Sequence, residues 1–195
     1  IDRYARPGTI VTDVGSVKGE IVRWAAKKKF RRIQFVGAHP MAGSHERGMQ
    51  AACATLYKDS FTFVVPSPAS GKSVACVRSF WRSLSGRVIE TPAEKHDLIV
   101  SEISHLPHAL AVCLMLCVSP ESLRFAAKGF RDTTRIAQGH PSLWGPIFSA
   151  NRKKVYASLT RFEKVIQQFK KALKGRQGVL LQRMLHKAAR TRREI

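Results

Sequence analysis

The sequence predicts an α/β half followed by an all-helical half. Two observations carry this. The β-branched and aromatic runs "TIVTDV", "RIQFVG" and "FTFVV" alternate with stretches of helical periodicity over about the first 90 residues. After "RVIETP" (87–92) no strand-like run recurs, and apolar residues keep helical spacing through the rest of the chain. With 195 residues and 44% hydrophobic content the chain can bury a core, so disorder is not the expectation.

"GTIVTDVGSVKGEIVRWAAKK" reads as a strand at about 9–14, a glycine turn and a helix at about 17–28. "RRIQFVGAHP" adds a strand at about 32–37. Strand, helix and strand in that order form a βαβ unit, which implies a parallel sheet. A short helix is expected around 48–56, then a strand at 60–67 in "SFTFVVPS", a helix over "KSVACVRSFWRSLSG" and a last strand in "RVIETP". Beyond it the spacing predicts helices over 93–118, 120–128, 132–138 and 145–174. A boundary near Thr91 and Pro92 thus separates domain 1–91 from helical domain 92–175, with a basic tail at 176–195.

Lys and Arg number 34 against 13 acidic residues, a net charge of +21. Such an excess draws anions, and composition alone does not choose among nucleic acid, acidic membrane and small anionic ligands. The runs "KKKFRR", "NRKKVY", "KKALKGRQ" and "KAARTRREI" read first as solvated helix faces and a tail, with nucleic-acid binding the lesser alternative. Four cysteines without a CxxC pair suit reduced, buried thiols in a cytoplasmic protein better than a disulfide or zinc framework. The most apolar stretch, 98–118, carries Glu102, His105, Pro107 and His108, leaving about 11 clean residues where a span needs about 20. It is expected as a buried core helix, with no membrane partner. A chain that opens on "IDRYARPGTIVTDVGS" reads as the downstream part of a longer protein.

Ligands in open parallel sheets sit beyond the carboxyl ends of the strands. "TDVGS" leaves the first strand and "GAHPMAGS" the second, so Ser16 and His39 are expected on one rim, a hydroxyl and an imidazole able to act as a general-base pair. A loop histidine bonded to backbone is the plain alternative for His39. On a helix over 93–118, Ser101, Ser104, His105 and His108 share one broad face, and Pro107 should kink it. HxxH could suggest metal, but neither HExxH nor a Cys or carboxylate at ligand spacing supports it; substrate binding or buried polarity is expected instead. In "KGFRDTTRIAQGHPSLW", Asp132 is expected as the N-cap of a helix carrying Arg135. That guanidinium can hold a carboxylate in bidentate fashion, or simply pair with Asp132.

"TDVGSVK", "FVGAHPMAGS", "EKHDLIVSEISHLPHALA" and "GFRDTTRIAQGHPSLW", followed by "IFSANRKKVYASLTRFEKVIQQF", together resemble the prephenate/arogenate dehydrogenase family of tyrosine biosynthesis. The resemblance implies the C-terminal part of a Rossmann-type NAD(P) domain followed by a helical dimerisation domain. It also implies oxidative decarboxylation of prephenate, or of arogenate, with NAD or NADP as hydride acceptor, in a cytoplasmic homodimer whose interface buries residues from 98 to 118. By resemblance His39 is the catalytic base and Ser16 orients it. His108 and Arg135 match substrate-binding positions; His105, Ser104, Ser44, Asp132 and Trp144 line or support the pocket. Ser16, Asp13 and Gly15 stand next to the cofactor. The family's glycine-rich GxGxxG turn is not in this sequence, so the chain by itself is expected to bind dinucleotide poorly. His45, with Glu46 next, replaces a family acid after "HPMAGS", and Lys128 stands where glycine is common.

Overall fold

The computed structural model describes residues 1–43, 49, 52–66 and 71–195. Ser44 and His45 therefore lie outside the described residues. Among the described residues four strands form one sheet in the order β1 (Thr9–Thr12), β2 (Ile33–Pro40), β3 (Phe61–Val65) and β4 (Arg87–Glu90). Helix α1 (Gly19–Lys28) joins β1 to β2 and α2 (Gly71–Ser85) joins β3 to β4. Both pairs are parallel, as a helical crossover requires. The two units meet antiparallel, with His39 opposite Phe63 and Ala38 opposite Val64. The parallel-type sheet is thus mixed. In the connection residues 54–59 are turns, and the helix expected around 48–56 falls partly outside the described residues, Met49 being 3-10 helical; an antiparallel neighbour needs no crossover helix.

Strand parity decides which side of the sheet each residue serves. Val36 and Ala38 join Val64, Val77 and Trp81 in the core. Helix α2 meets them with Ser73, Val77, Trp81 and Ser85, buried at a spacing of four. Gly86, at φ 71°, ends this helix in the left-handed conformation so that β4 starts at once. The alternate residues of β2, Gly37 and His39, face the other side. There a Cβ on Gly37 would lie 3.5 Å from Lys18 Cδ, which marks that face as the one meeting the β1–α1 loop.

The helical half runs through α3 (Ala93–Val100), a π-helical turn (Ser101–His105), α4 (Leu106–Cys117), α5 (Pro120–Leu123) and α6 (Lys128–Thr134). A 3-10 turn (Arg135–Gln138), α7 (Pro141–Ala150), α8 (Arg152–Lys174) and α9 (Gly178–Arg193) complete it. Pro107 has no N–H to close its helical bond, and the distortion falls just upstream: Leu106 N–H reaches back five residues to Ser101 O. The expected kink is therefore an inserted π turn.

Three further expectations are corrected. Helix α6 starts before Asp132, with Ala127 at its N-cap; Asp132 sits inside it, exposed and paired 2.8 Å from Lys128. The long helix expected at 145–174 is cut at Asn151 (φ −107°, ψ 20°), whose side chain is used elsewhere. The four cysteines are exposed rather than buried, because α4 buries His108 and Ala111 and turns Cys113, Leu116 and Cys117 outward. All four are free thiols. Most of the expected basic tail is helical, as α9. The stretch Ala93–Cys117 is long and apolar enough to cross a bilayer by length and composition. In this fold it buries His96, Asp97, Ser101, His105 and His108 against the rest of the chain.

Candidate active site

The carboxyl ends of β1 and β2 open on a cavity of about 520 Å³ between the sheet and the helical half. Ser16 and His39 line it from the sheet side, Ser104, His105 and His108 from the π turn and α4, Arg135 from the 3-10 turn and Trp144 from α7. Residues dispersed from 16 to 144 in sequence thus share one cavity.

His39 is 9% exposed and its Nδ1 lies 2.9 Å from His96 Nε2. The expected Ser16 partner is therefore not what engages this nitrogen; Ser16 lines the same cavity. Phe63, opposite His39 in the sheet, sets its ring edge-on to His96 at 5.0 Å. His96 is fully buried, and its Nδ1 stands 2.8 Å from Asp97 Oδ1. The same carboxylate accepts the Lys18 and Gly19 backbone N–H groups, each at 2.8 Å. Asp97 thereby caps α1 from the other half of the chain. Burial pushes its carboxyl up, but these hydrogen bonds more than offset that and hold it below the usual carboxylate range.

Lys18 is fully buried and pairs with Asp13, whose other oxygen accepts Ala38 N–H at 3.1 Å. Burial lowers the Lys18 ammonium, with Asp13 and Asp97 pulling the other way. For His39 burial is the main cause, followed by the facing His96, Lys18 and His105, and the imidazole is pushed down to about 3 despite Asp97. The ring is neutral at physiological pH, which leaves one nitrogen lone pair free, and the same burial makes it a weak base in the resting state.

The second wall is aromatic. His108 stacks on Trp144 with ring centroids 3.5 Å apart, and Phe148 tilts against both. A Cβ at Gly139 would come 2.4 Å from Trp144 Nε1 and 2.7 Å from His108 Cε1, so this position accepts only glycine without displacing the stack. His108 Nδ1 is buried and has no hydrogen-bond partner among the described residues. Burial lowers this imidazole too. His105 is pushed down to about 4, chiefly by burial, with Asp97 raising it and His96 and His108 lowering it. Its Nδ1 meets Asn151 Nδ2 at 3.2 Å, and that amide also donates to Asp97 O at 2.8 Å. The break between α7 and α8 thus delivers a side chain that ties α3 to the π turn.

Arg135 is exposed, lines the cavity and makes no ion pair among the described residues, since Asp132 is taken by Lys128. Asp132 lines a neighbouring cavity instead. Asp13 and Gly15 lie under the loop: Asp13 Oδ2 accepts Gly15 N–H at 2.9 Å, and a Cβ at Gly15 would meet Ile21 Cδ1 at 2.8 Å. The residues that sequence reasoning passed over are His96, Asp97, Lys18, Asn151 and Gly139. "HD" in "EKHDLIV" stood in plain view, but its significance depends on a sheet residue 57 positions away.

The fold and cleft define a two-part protein whose polar cavity lies at the carboxyl ends of parallel strands, where α/β sheets hold their ligands. Residues 3–90 match the model of the prephenate dehydrogenase nucleotide-binding domain, and residues 92–187 that of the prephenate dehydrogenase dimerization domain. The chain belongs to the prephenate dehydrogenase family. It is 37% identical over 169 residues to the prephenate dehydrogenase of Bacillus subtilis, covering 83% of this chain and 45% of that protein. To the cyclohexadienyl dehydrogenase of Zymomonas mobilis it is 29% identical over 177 residues, covering 87% and 60%. The crystal structure of Aquifex aeolicus prephenate dehydrogenase with hydroxyphenyl propionate and NAD+ superposes with a TM-score of 0.86 at 31% identity, over 95% of this chain and 66% of that one. Synechocystis arogenate dehydrogenase gives 0.81 at 27% identity, over 95% and 69%. The chain spans about half the length of the B. subtilis relative.

Proposed function

We propose that this chain carries the catalytic base and substrate cleft of an NAD(P)-dependent dehydrogenase that converts prephenate to 4-hydroxyphenylpyruvate in tyrosine biosynthesis. The observation that supports it most is the neutral His39 imidazole sharing one cavity with the guanidinium of Arg135, which has no ion pair among the described residues. His39 takes the proton of the substrate's ring hydroxyl, with Ser16 beside it. Arg135 holds a carboxylate of the substrate, which planar, bidentate pairing suits. Buried His108 offers its Nδ1, unpartnered among the described residues, and Trp144 backs it with the indole stacked on its ring. Ser104 and His105 complete that wall, while Asp132, paired with Lys128, stands beside the neighbouring hollow.

The donor set fits the nicotinamide end of a dinucleotide, with Ser16 at the mouth of β1 and the loop backbone shaped by Asp13 and Gly15. When bound, NAD or NADP supplies the hydride acceptor for the ring carbinol carbon, while carbon dioxide leaves and the ring becomes aromatic. Arogenate, giving tyrosine directly, is the alternative substrate, in keeping with the arogenate and cyclohexadienyl dehydrogenases among the relatives.

The test is nucleotide reduction by the protein bearing this chain, with whatever sequence precedes Ile1 in its gene, on addition of prephenate or arogenate. His39→Asn should lower turnover at least about 10²-fold; normal turnover in that variant would sink the assignment. We also propose a homodimer through the helical half. Exposed Leu116, 82% accessible, lines an apolar hollow of about 740 Å³ that a second copy would fill. A monomer in light scattering at high concentration would refute this.

A further inference from the structure

The hydrogen-bond chain behind His39 has a direction. Asp97 accepts at both carboxylate oxygens, from Lys18 N–H and Gly19 N–H, so it is the ionised acceptor and the contact at its Oδ1 makes His96 Nδ1 a donor. If that ring carries a single proton, held on Nδ1, its Nε2 is a bare lone pair. The 2.9 Å contact to His39 is then filled by His39 Nδ1–H donating to His96 Nε2. That leaves the lone pair of His39 on Nε2. The opposite tautomer would bring two lone pairs face to face in a buried site, which costs the desolvation of both.

We propose that His96, oriented by Asp97, is a positioning residue that holds His39 as its Nδ1–H tautomer, so that Nε2 is the atom that accepts a proton. Among the described residues Asp97 on α3 is the anion next to His96; burial first, then His96, Lys18 from the β1–α1 loop and His105 from the π turn disfavour a second proton on His39 in the resting state. Lys18 is itself paired with Asp13. Once Nε2 takes the substrate proton, the imidazolium still donates Nδ1–H to His96, and its charge is turned along the chain towards Asp97. Because Asp97 also caps α1, the tautomer depends on the two halves being docked.

The kinetic consequence rests on the dehydrogenase reading above, whereas the tautomer does not. The experiment is therefore double. In ¹⁵N-histidine-labelled protein, ring nitrogen shifts assigned by loss of the signal in His39→Asn should show a protonated Nδ1 and a bare Nε2 for His39. In His96→Phe, which keeps a ring but no acceptor, the Nδ1–H population should fall and kcat should drop about 10- to 10³-fold with KM changed less than about threefold. His96→Gln, whose amide oxygen can accept in the same place, should restore both the tautomer and most of kcat. A bare Nδ1 in the unsubstituted protein, or an unchanged His39 spectrum in His96→Phe, overturns the proposal. Should the phenylalanine variant not fold, the unsubstituted protein and His96→Gln still decide it by their spectra. Absence of any dehydrogenase turnover in the unsubstituted protein would defeat the functional reading and leave the tautomer to be judged by nitrogen shifts alone.

Discussion

The imidazole of His108 lies flat on the indole of Trp144, with ring centroids 3.5 Å apart and planes 14° from parallel. Stacking fixes the ring plane and leaves Nδ1, buried and unpartnered among the described residues, as a hydrogen-bonding group for a ligand. His108→Phe keeps a flat ring and removes that nitrogen. It should raise KM for the substrate about tenfold, the worth of one buried hydrogen bond, while kcat changes less than about threefold. Steady-state kinetics check this, and an unchanged KM would remove His108 from the substrate contacts.

Gly139 keeps that stack closed. An alanine there would thrust its methyl within 2.7 Å of both rings. Gly139→Ala should cost about 1–3 kcal/mol and lower Tm by about 2–12 °C, because both rings are held by neighbours and the stack has to open. A thermal melt matching the unsubstituted protein would show that the stack yields freely.

Two acidic residues three apart on α3 should behave differently. Asp97 is nearly buried and takes two backbone N–H groups of α1 besides His96, whereas Glu94, 70% exposed, pairs with Arg23 and Lys154 at the surface. Asp97→Ala should destabilise by about 2–4 kcal/mol through the lost cap and the orphaned donors, and Glu94→Ala by less than about 1. Urea midpoints measured side by side decide it; equal losses would contradict the capping role.

Acid should loosen the fold earlier than carboxylates alone would. His39 titrates near about 3 and His105 near about 4 in the folded chain, against 6.5 for an unperturbed histidine. The unfolded state thus binds more protons between pH 6.5 and those values. The contribution of both rings is complete above pH 6.5 and is lost as pH falls through that window. Asp97, held low, adds its loss only below the ordinary carboxylate range. The urea midpoint should fall steadily from pH 7 to 4.5, and less steeply in His39→Asn. A flat midpoint over that range would show that these imidazoles are not held neutral.

Much of the fold was legible because its signals are local. The β-branched runs of β1 and β3, the four-residue spacing of Ser73, Val77, Trp81 and Ser85, and the change of pattern at Thr91 each act within one element or its neighbour. The errors arise where a distant contact overrides a local preference. Asp132 has the chemistry of an N-cap, yet packing starts α6 earlier and leaves Asp132 to Lys128. Asn151 sits in a helical pattern and breaks it, because its amide serves Asp97 and His105. The antiparallel meeting of β2 and β3 comes from a connection read in the sequence as a short helix, in which residues 54–59 form turns.

By itself the sequence determined the two-part architecture and the stretches that carry Ser16, His39, the SHLPH run and Arg135, which depend on chain period and residue chemistry. It ended the second strand at about 37, whereas β2 runs on to Pro40 and holds His39 opposite Phe63. Only the tertiary structure decided which groups surround the His39 imidazole, a buried His96–Asp97 pair from the other half and a buried Lys18, and that the His108–Trp144 stack leaves no room for a side chain at 139. The proton position on His39 is a property of that enclosure. Burial and directional hydrogen bonds set it, and both arise from residues far apart in the chain.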